Sequence, residues 1–209
     1  VSFVGSTPIA KYVYATGAAH GKRVQALGGA KNHMIVLPDA DINLAADAAV
    51  SAAYGSAGER CMAISVVVAV GGVANQLVPA IKERMSKLVI GHGDDPASEM
   101  GPVITCEHRD RVAGYIAAGA EAGADVVVDG RDFVFEGNGS FIGVSLLDNV
   151  TTDMSVYTDE IFGPVLCVVR VDTYAEGVQM IADNDFGNGA AIFTRDGGAA
   201  RQFQQDADA

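Results

Sequence analysis

The sequence has no tryptophan, few aromatic residues and few basic residues. Lysine and arginine number 14 against 26 aspartates and glutamates, so the formal net charge is −12 at pH 7. This charge argues against nucleic acid and anionic membranes as partners, because phosphate groups require a basic surface. It does not exclude an anionic cofactor, because one helix N-terminus or one arginine can bind such a group locally.

Paired cysteines and long apolar runs are also absent. The three cysteines, Cys61, Cys106 and Cys167, are irregularly spaced and form no CxxC motif. They predict neither a disulfide framework nor a zinc site, and we expect no metal. No apolar run reaches the length of a membrane-spanning helix, and no signal peptide opens the sequence. These absences predict a reducing, aqueous compartment.

The residues that are abundant indicate an α/β protein. Hydrophobic residues make up 49% of the 209 positions, and the 25 glycines suit close packing of helices on a sheet. The β-branched runs AISVVVAV and PVLCVVRV predict strands that are buried on both faces. Predicted helices alternate with predicted strands, which indicates a mainly parallel sheet with flanking helices. The one predicted domain boundary lies near residues 27–32.

The first residues predict a buried strand, VSFVG, and a turn into a helix. Ser6 or Thr7 suits the N-cap of this helix, and Pro8 suits its first turn. Such a junction can bind phosphate through free backbone N–H groups, although an ordinary βα turn has the same pattern. The sequence opens inside an apolar stretch and ends in QQDADA without a closing element, so we expect a fragment.

The segment GSAGERCMAIS places Cys61 between small residues and an apolar strand. Free cysteine is often only a small buried apolar side chain, and on the residues alone this interpretation stays open. Two features favour a reactive thiol: the helix-to-strand junction, and Arg60 beside it, since a nearby cation favours the thiolate. Cys167 is predicted in the core. Cys106 is predicted near a helix start, and we do not expect it to be catalytic.

A cysteine hydrolase is a further alternative, and it would require a histidine beside the thiol. None of the four histidines has a distinguishing setting, so we expect each on the surface or in a loop. They are His20, His33, His92 and His108. Such a hydrolase would turn over esters without NAD.

Several stretches occur in the order found in the NAD(P)-dependent aldehyde dehydrogenase superfamily, which the sequence resembles over nearly its whole length. They are FVGSTPIA, LGGAKN, GERCMA, GPVIT, EIFGPV and NDFGNGAAIFT. Within the superfamily, FVGSTPIAKYVY, ALGGAKNH and GERCMA are most similar to the acylating methylmalonate-semialdehyde dehydrogenases. The resemblance implies a catalytic domain at residues 30–209, preceded at residues 1–29 by a remnant of the NAD-binding domain. It also implies a homo-oligomeric parent in the cytoplasm or, in a eukaryote, the mitochondrial matrix.

The resemblance assigns roles to individual residues. Cys61 matches the nucleophile that attacks the aldehyde and becomes a thioacyl enzyme, and Arg60 matches an arginine that binds the substrate carboxylate. The residues that match cofactor-binding positions are Gly5 and Ser6 at the pyrophosphate of NAD, Leu27 and Gly28 at the nicotinamide pocket, Glu160 at the nicotinamide ribose, and Phe162 beside the nicotinamide ring.

Ala26 is an informative departure from the family pattern. Hydrolytic relatives have glutamate directly before LGG, where it activates the water that releases the acid. Without this base we expect coenzyme A to accept the acyl group, because its thiolate is a far better nucleophile than neutral water. The implied reaction converts malonate or methylmalonate semialdehyde to acetyl- or propionyl-CoA, reduces NAD and releases CO2.

Two other functions stay open on the sequence. One is a hydrolytic aldehyde dehydrogenase that uses another base, and the other is a non-catalytic fragment that serves only folding or assembly. The family has a Trp-Asn segment upstream, with the asparagine of its oxyanion hole, and this sequence contains no tryptophan. We therefore expect the isolated chain to be inactive.

Overall fold

A computed structural model describes residues 1–209. The chain divides into two compact units, Val1–Ala30 and Lys31–Ala209. The roles predicted for residues 1–29 and 30–209 stay predictions.

The first unit consists of strand β1 (Ser2–Val4), helix α1 (Thr7–Ala19) and strand β2 (Gln25–Leu27). The strands pair in parallel, and α1 begins after Ser6 with Pro8 in its first turn, as predicted. The prediction that the first strand is buried is wrong, because Val1 and Val4 are 64% and 67% exposed. The physical reason is that this sheet has only two strands and covers little surface.

The second unit contains a six-stranded sheet. Its strands are β3 (Asn32–Val36), β4 (Ile64–Val70), β5 (Asp125–Val128), β6 (Ser145–Asp148), β7 (Val165–Val171) and β8 (Ala190–Phe193). Their order is β5-β6-β7-β4-β3-β8. Only the β5–β6 pair is antiparallel, so the predicted mainly parallel sheet is confirmed.

Six α-helices accompany this sheet: α2 (Ile42–Tyr54), α3 (Ala74–Met85), α4 (Cys106–Glu121), α5 (Ser155–Thr158), α6 (Tyr174–Ala182) and α7 (Gly197–Asp206). A short 3-10 segment covers Gly130–Asp132, and a tight turn with left-handed backbone covers Gly55–Gly58. Consecutive residues 66–70 of β4 are all buried, so both faces of this strand are covered, as its apolar run predicts. Every helix is too short or too polar to cross a lipid bilayer.

The amino ends of four parallel strands meet at one edge of the sheet. Neighbouring parallel strands start at the same edge, so the segments that precede β3, β4, β7 and β8 are brought near one another. These segments carry Cys61 before β4, Glu160 and Phe162 before β7, and Asn188 before β8. The fold thus gathers several of the candidate side chains at one edge.

Candidate active site

Cys61 lies in a tight turn that leads into β4. The turn is closed by the Ala63 N–H, which donates to the Arg60 carbonyl at 2.9 Å. Cys61 and Met62 occupy the two central positions, and both are exposed. Cys61 is therefore not a small apolar side chain of the buried core, because it is exposed to solvent.

Two amide side chains hold the backbone of this turn. Asn32 Nδ2 donates to the Cys61 carbonyl at 2.8 Å, and Asn188 Nδ2 donates to the same oxygen at 2.7 Å. Asn32 Nδ2 also donates to the Ala63 carbonyl at 2.8 Å. Asn32 is buried at the start of β3, whereas Asn188 comes from the segment before β8. The nucleophile candidate is thus fixed from two strands, although neither asparagine was predicted as a site residue.

The backbone before Cys61 has an uncommon conformation. Ser56 and Ala57 both have φ of 54°, and Gly58 has φ of 69°. Ser56 and Ala57 are strained in this left-handed region, whereas Gly58 adopts it at no steric cost, and such strain often occurs at functional sites. Gly58 also packs directly on Gly163, since a Cβ at Gly58 would lie 2.2 Å from the Gly163 carbonyl oxygen. The segment before Cys61 is therefore held against the segment that contains Phe162.

The Arg60 side chain turns back toward helix α2. Its Nη2 donates to the Ala52 carbonyl at 3.2 Å, in the last turn of α2. A cation suits the carbonyl-rich end of a helix. A guanidinium carries five N–H donors, so this single bond is compatible with a substrate carboxylate on the same side chain. Its predicted role in carboxylate binding stays a prediction.

The segment of Glu160 and Phe162 is anchored by the buried Lys31. Lys31 Nζ donates to the Val156 carbonyl at 2.8 Å and to the Asp159 carbonyl at 2.6 Å. Burial lowers the pKa of Lys31, while nearby Cys167 and the carboxyl groups of Asp159 and Glu160 oppose this shift. Lys31 was not predicted as a site residue. The only sequence signal is a lysine directly before β3, a strand that is buried along its whole length.

Phe162 is 40% exposed and has φ of 57°. Its carbonyl accepts a hydrogen bond from His108 Nε2 at 2.6 Å. The half-buried Glu160 offers its main-chain carbonyl to Arg111 Nη2 at 3.2 Å. Both candidate cofactor residues of this segment therefore have backbone carbonyls that are held by side chains of α4.

The prediction that every histidine lies on the surface or in a loop is wrong for two of them. His33 is buried in β3 with its Nε2 3.0 Å from the Tyr157 hydroxyl, and burial lowers the pKa of its imidazole to about 4. His108 lies in the first turn of α4 with only 13% of its side chain exposed. His20 and His92 are exposed, as predicted.

Of the other two thiols, Cys167 is buried and Cys106 is exposed. Cys167 is fully buried in β7, as predicted, and burial raises its pKa to about 11. Its thiol is therefore protonated at neutral pH and unreactive. Cys106 is exposed at the start of α4, with its Sγ 3.3 Å from Ser140 Oγ. Exposed thiols in this structure are thus Cys61 and Cys106.

The candidate residues of the first unit surround the start of α1. Ser6 is the N-cap, but its side chain makes no capping hydrogen bond. The Thr7 hydroxyl instead accepts from the Gly29 N–H at 2.9 Å, and a Cβ at Gly28 would lie 2.9 Å from the same oxygen. A helix start without side-chain caps or acidic residues suits an anionic group, so this βα turn fits a pyrophosphate.

A cavity of about 280 Å³ adjoins this helix start. It is lined by Thr7, Ala10, Lys11, Tyr14, Ala26 and Gly28. Ala26 is thus at a cavity wall, where it contributes only a methyl group. Leu27 is 50% exposed at the end of β2.

The sequence model of the aldehyde dehydrogenase family matches residues 1–209. The chain belongs to this family. Among the curated relatives it is similar to the malonate-semialdehyde dehydrogenase of Pseudomonas aeruginosa, with 55% identity over 97% of this chain and 41% of that protein. The malonate-semialdehyde dehydrogenase 2 of Geobacillus kaustophilus is 53% identical over 100% of this chain and 43% of that protein. The chain thus spans about two fifths of the length of these aldehyde dehydrogenases.

Solved aldehyde dehydrogenase structures have the same fold. A methylmalonate-semialdehyde dehydrogenase from Sinorhizobium meliloti, complexed with NAD, matches with a TM-score of 0.96 and 55% identity. The match covers 98% of this chain and 42% of that one. A betaine aldehyde dehydrogenase from Staphylococcus aureus in complex with NAD+ matches with a TM-score of 0.94 and 31% identity, covering 99% of this chain and 41% of that one. The predicted resemblance and α/β fold class are therefore confirmed.

Proposed function

We propose that the whole protein carrying this aldehyde dehydrogenase sequence oxidises malonate or methylmalonate semialdehyde and transfers the acyl group to coenzyme A. The observation that carries the proposal is the exposed Cys61 thiol in a turn whose carbonyl is held by two amides. Two similar relatives are malonate-semialdehyde dehydrogenases, which supports the choice of substrate.

NAD is the proposed oxidant, and when bound it supplies the hydride acceptor. NAD-bound structures of similar proteins support this choice. Gly5 and Ser6 would hold the pyrophosphate at the start of α1, where backbone N–H groups suit an anion. Leu27 and Gly28 would line the nicotinamide pocket. Glu160 would bind the ribose, and Phe162 would contact the ring.

Cys61 is the proposed nucleophile. Its thiolate attacks the aldehyde carbon and forms a thiohemiacetal, which becomes a thioester when the hydride leaves that carbon. The turn holds the backbone of Cys61 in place during these steps, because two amide side chains donate to its carbonyl. Holding reacting groups in place lowers the entropic part of the barrier.

Arg60 is the proposed carboxylate-binding residue. It directly precedes Cys61, and a guanidinium can bind a carboxylate through two parallel N–H donors. A semialdehyde with its carboxylate on Arg60 would have its aldehyde end close to the thiol. The substrate carboxylate leaves as CO2 in the overall reaction, so acetyl-CoA forms from malonate semialdehyde and propionyl-CoA from the methylated substrate.

Ala26 supports coenzyme A as the acyl acceptor. Its methyl group cannot take a proton from water, so hydrolysis of the thioester lacks the base that hydrolytic relatives use. The thiolate of coenzyme A needs no such base when it attacks the thioester. The released Cys61 thiolate is then ready for another turnover.

The test is the requirement for coenzyme A. The whole protein is given malonate semialdehyde and NAD, and NADH and acetyl-CoA are measured with and without coenzyme A. We expect sustained turnover only with coenzyme A, with one acetyl-CoA for each NADH. A hydrolytic enzyme would instead form NADH at the same steady-state rate with and without coenzyme A, and its product would be the free acid.

A further inference from the structure

We infer that His108 is a positioning residue that joins the segment of the nucleophile to the segment of Phe162. The inference rests on the function proposed above, in which these two segments serve the thiol and the nicotinamide. His108 Nε2 lies 2.6 Å from the Phe162 carbonyl oxygen and 3.4 Å from Glu59 Oε1. Glu59 is two residues before Cys61, so one imidazole contacts both segments.

The hydrogen-bond chemistry fixes the direction of the first contact. A carbonyl oxygen only accepts, so Nε2 carries the proton and donates to Phe162. The Glu59 carboxylate lies 3.4 Å from the same nitrogen, so the imidazole is held between the Phe162 carbonyl and the Glu59 side chain. The His108 and Glu59 side chains are only 13% and 15% exposed, which limits competition from water.

Glu59 is itself fixed to the start of α4. Its Oε1 accepts from the Ile104 N–H at 3.1 Å, and the Thr105 hydroxyl accepts from the His108 N–H at 3.1 Å. Glu59 and His108 therefore share one rigid framework, the capped first turn of α4. Movement of either segment relative to the other would break at least one of these bonds.

Phe162 needs such support because its backbone is strained. A bulky side chain with φ of 57° lies in a region that such residues rarely adopt. A conformation of this kind persists only where the surroundings hold it. The His108 bond holds the carbonyl of the strained residue, and the next residue, Gly163, packs on Gly58. Without the bond we expect Phe162 to relax to negative φ and its ring to shift.

Loss of the His108 hydrogen bond should misalign the nicotinamide and the thiol, but it removes no reacting group. Hydride transfer depends steeply on the distance between donor and acceptor, and a displacement of about 1 Å can lower a rate about 100-fold. We expect removal of the His108 donor to slow hydride transfer by about 10- to 100-fold. Binding of the semialdehyde should change little.

Two variants that differ by one methylene group test this role. His108→Gln keeps an N–H donor with a reach similar to that of imidazole Nε2, whereas His108→Asn is too short to reach Phe162. His20→Asn is the matched control, because His20 is exposed and bonds only within α1. In the whole protein, single-turnover NADH formation should be about 10- to 100-fold slower in His108→Asn and within about threefold of the wild type in His108→Gln. The deuterium isotope effect with aldehyde-labelled substrate should rise in His108→Asn.

A second readout needs no activity. Hydrogen exchange of peptides spanning residues 159–165 in the protein without ligands should be faster in His108→Asn than in His108→Gln or His20→Asn. Equal exchange in all three would overturn the inference, as would equal single-turnover rates in His108→Asn and His108→Gln. If the wild type forms no NADH from the semialdehyde while the exchange rates differ as expected, the proposed function fails and the positioning contact stands.

Discussion

Gly58→Ala is predicted to be much more destabilising than an ordinary glycine-to-alanine change. Gly58 has φ of 69°, and an added Cβ would lie 2.2 Å from the oxygen and 2.6 Å from the carbon of the Gly163 carbonyl. The left-handed conformation costs alanine about 1–2 kcal/mol. The overlap involves backbone atoms, which no side-chain rotation relieves, and overpacking of this kind adds about 1–3 kcal/mol. We therefore expect the free energy of unfolding to fall by about 2–5 kcal/mol.

Gly72→Ala is the matched control for this prediction. Gly72 has φ of 84°, but an added Cβ would meet nothing within 4 Å, so only the conformational cost of about 1–2 kcal/mol applies. Urea unfolding of both variants of the whole protein measures the difference. Equal losses of stability would refute the argument that Gly58 is required by its contact with Gly163. The contact also predicts slower NADH formation in Gly58→Ala only, because relief of the overlap displaces the Phe162 segment by roughly 1 Å.

Three further changes test other parts of the account. Ala26→Glu should raise the rate of acid formation without coenzyme A by about 100- to 10,000-fold, because the new carboxylate would act as a general base on the deacylating water. If the variant still forms the thioacyl enzyme but its rate of acid formation does not increase, this explanation is contradicted. Arg60→Leu should lower kcat/KM about 10- to 100-fold for malonate semialdehyde but little for propanal, and equal losses would argue against carboxylate binding. The buried His33 resists protonation, since its pKa falls from 6.5 to about 4 on folding. Stability that is complete above pH 6.5 should therefore fall by about 3 kcal/mol as the pH approaches 4. The free energy of unfolding of His33→Gln, measured by urea titration at pH 6.5 and pH 4, should lack this loss. An equal loss in the variant and the wild type would contradict the prediction.

Local sequence patterns predicted most of the secondary structure of this chain. The apolar β-branched runs predicted β4 and β7, because a strand that is buried on both faces has no polar alternation. The same reasoning failed for VSFVG, where burial depends on neighbouring strands that a local pattern does not contain. The order of the strands likewise depends on crossover connections and could not be predicted from single segments.

The candidate site was predicted in part. The motif around Cys61 predicted a reactive thiol, and the structure shows this residue exposed in a turn. The amides that hold this turn come from positions 29 and 127 residues away in the sequence, and no local pattern reveals such partners. His33 was mispredicted for the same reason, since its hydroxyl partner on Tyr157 is 124 residues away. The reactivity of Cys61 thus stays a prediction from the motif, whereas the residues that hold its turn become visible only in the fold.

The most direct test of the central claim is to trap the acyl group on the enzyme. The whole protein is mixed with malonate semialdehyde and NAD without coenzyme A, quenched in acid and digested for mass spectrometry. We predict an acyl adduct on the peptide that contains Cys61, formed together with one NADH per active site and lost within one turnover after coenzyme A is added. A burst of NADH with no acyl group on Cys61, or with the adduct on Cys106, would contradict the account.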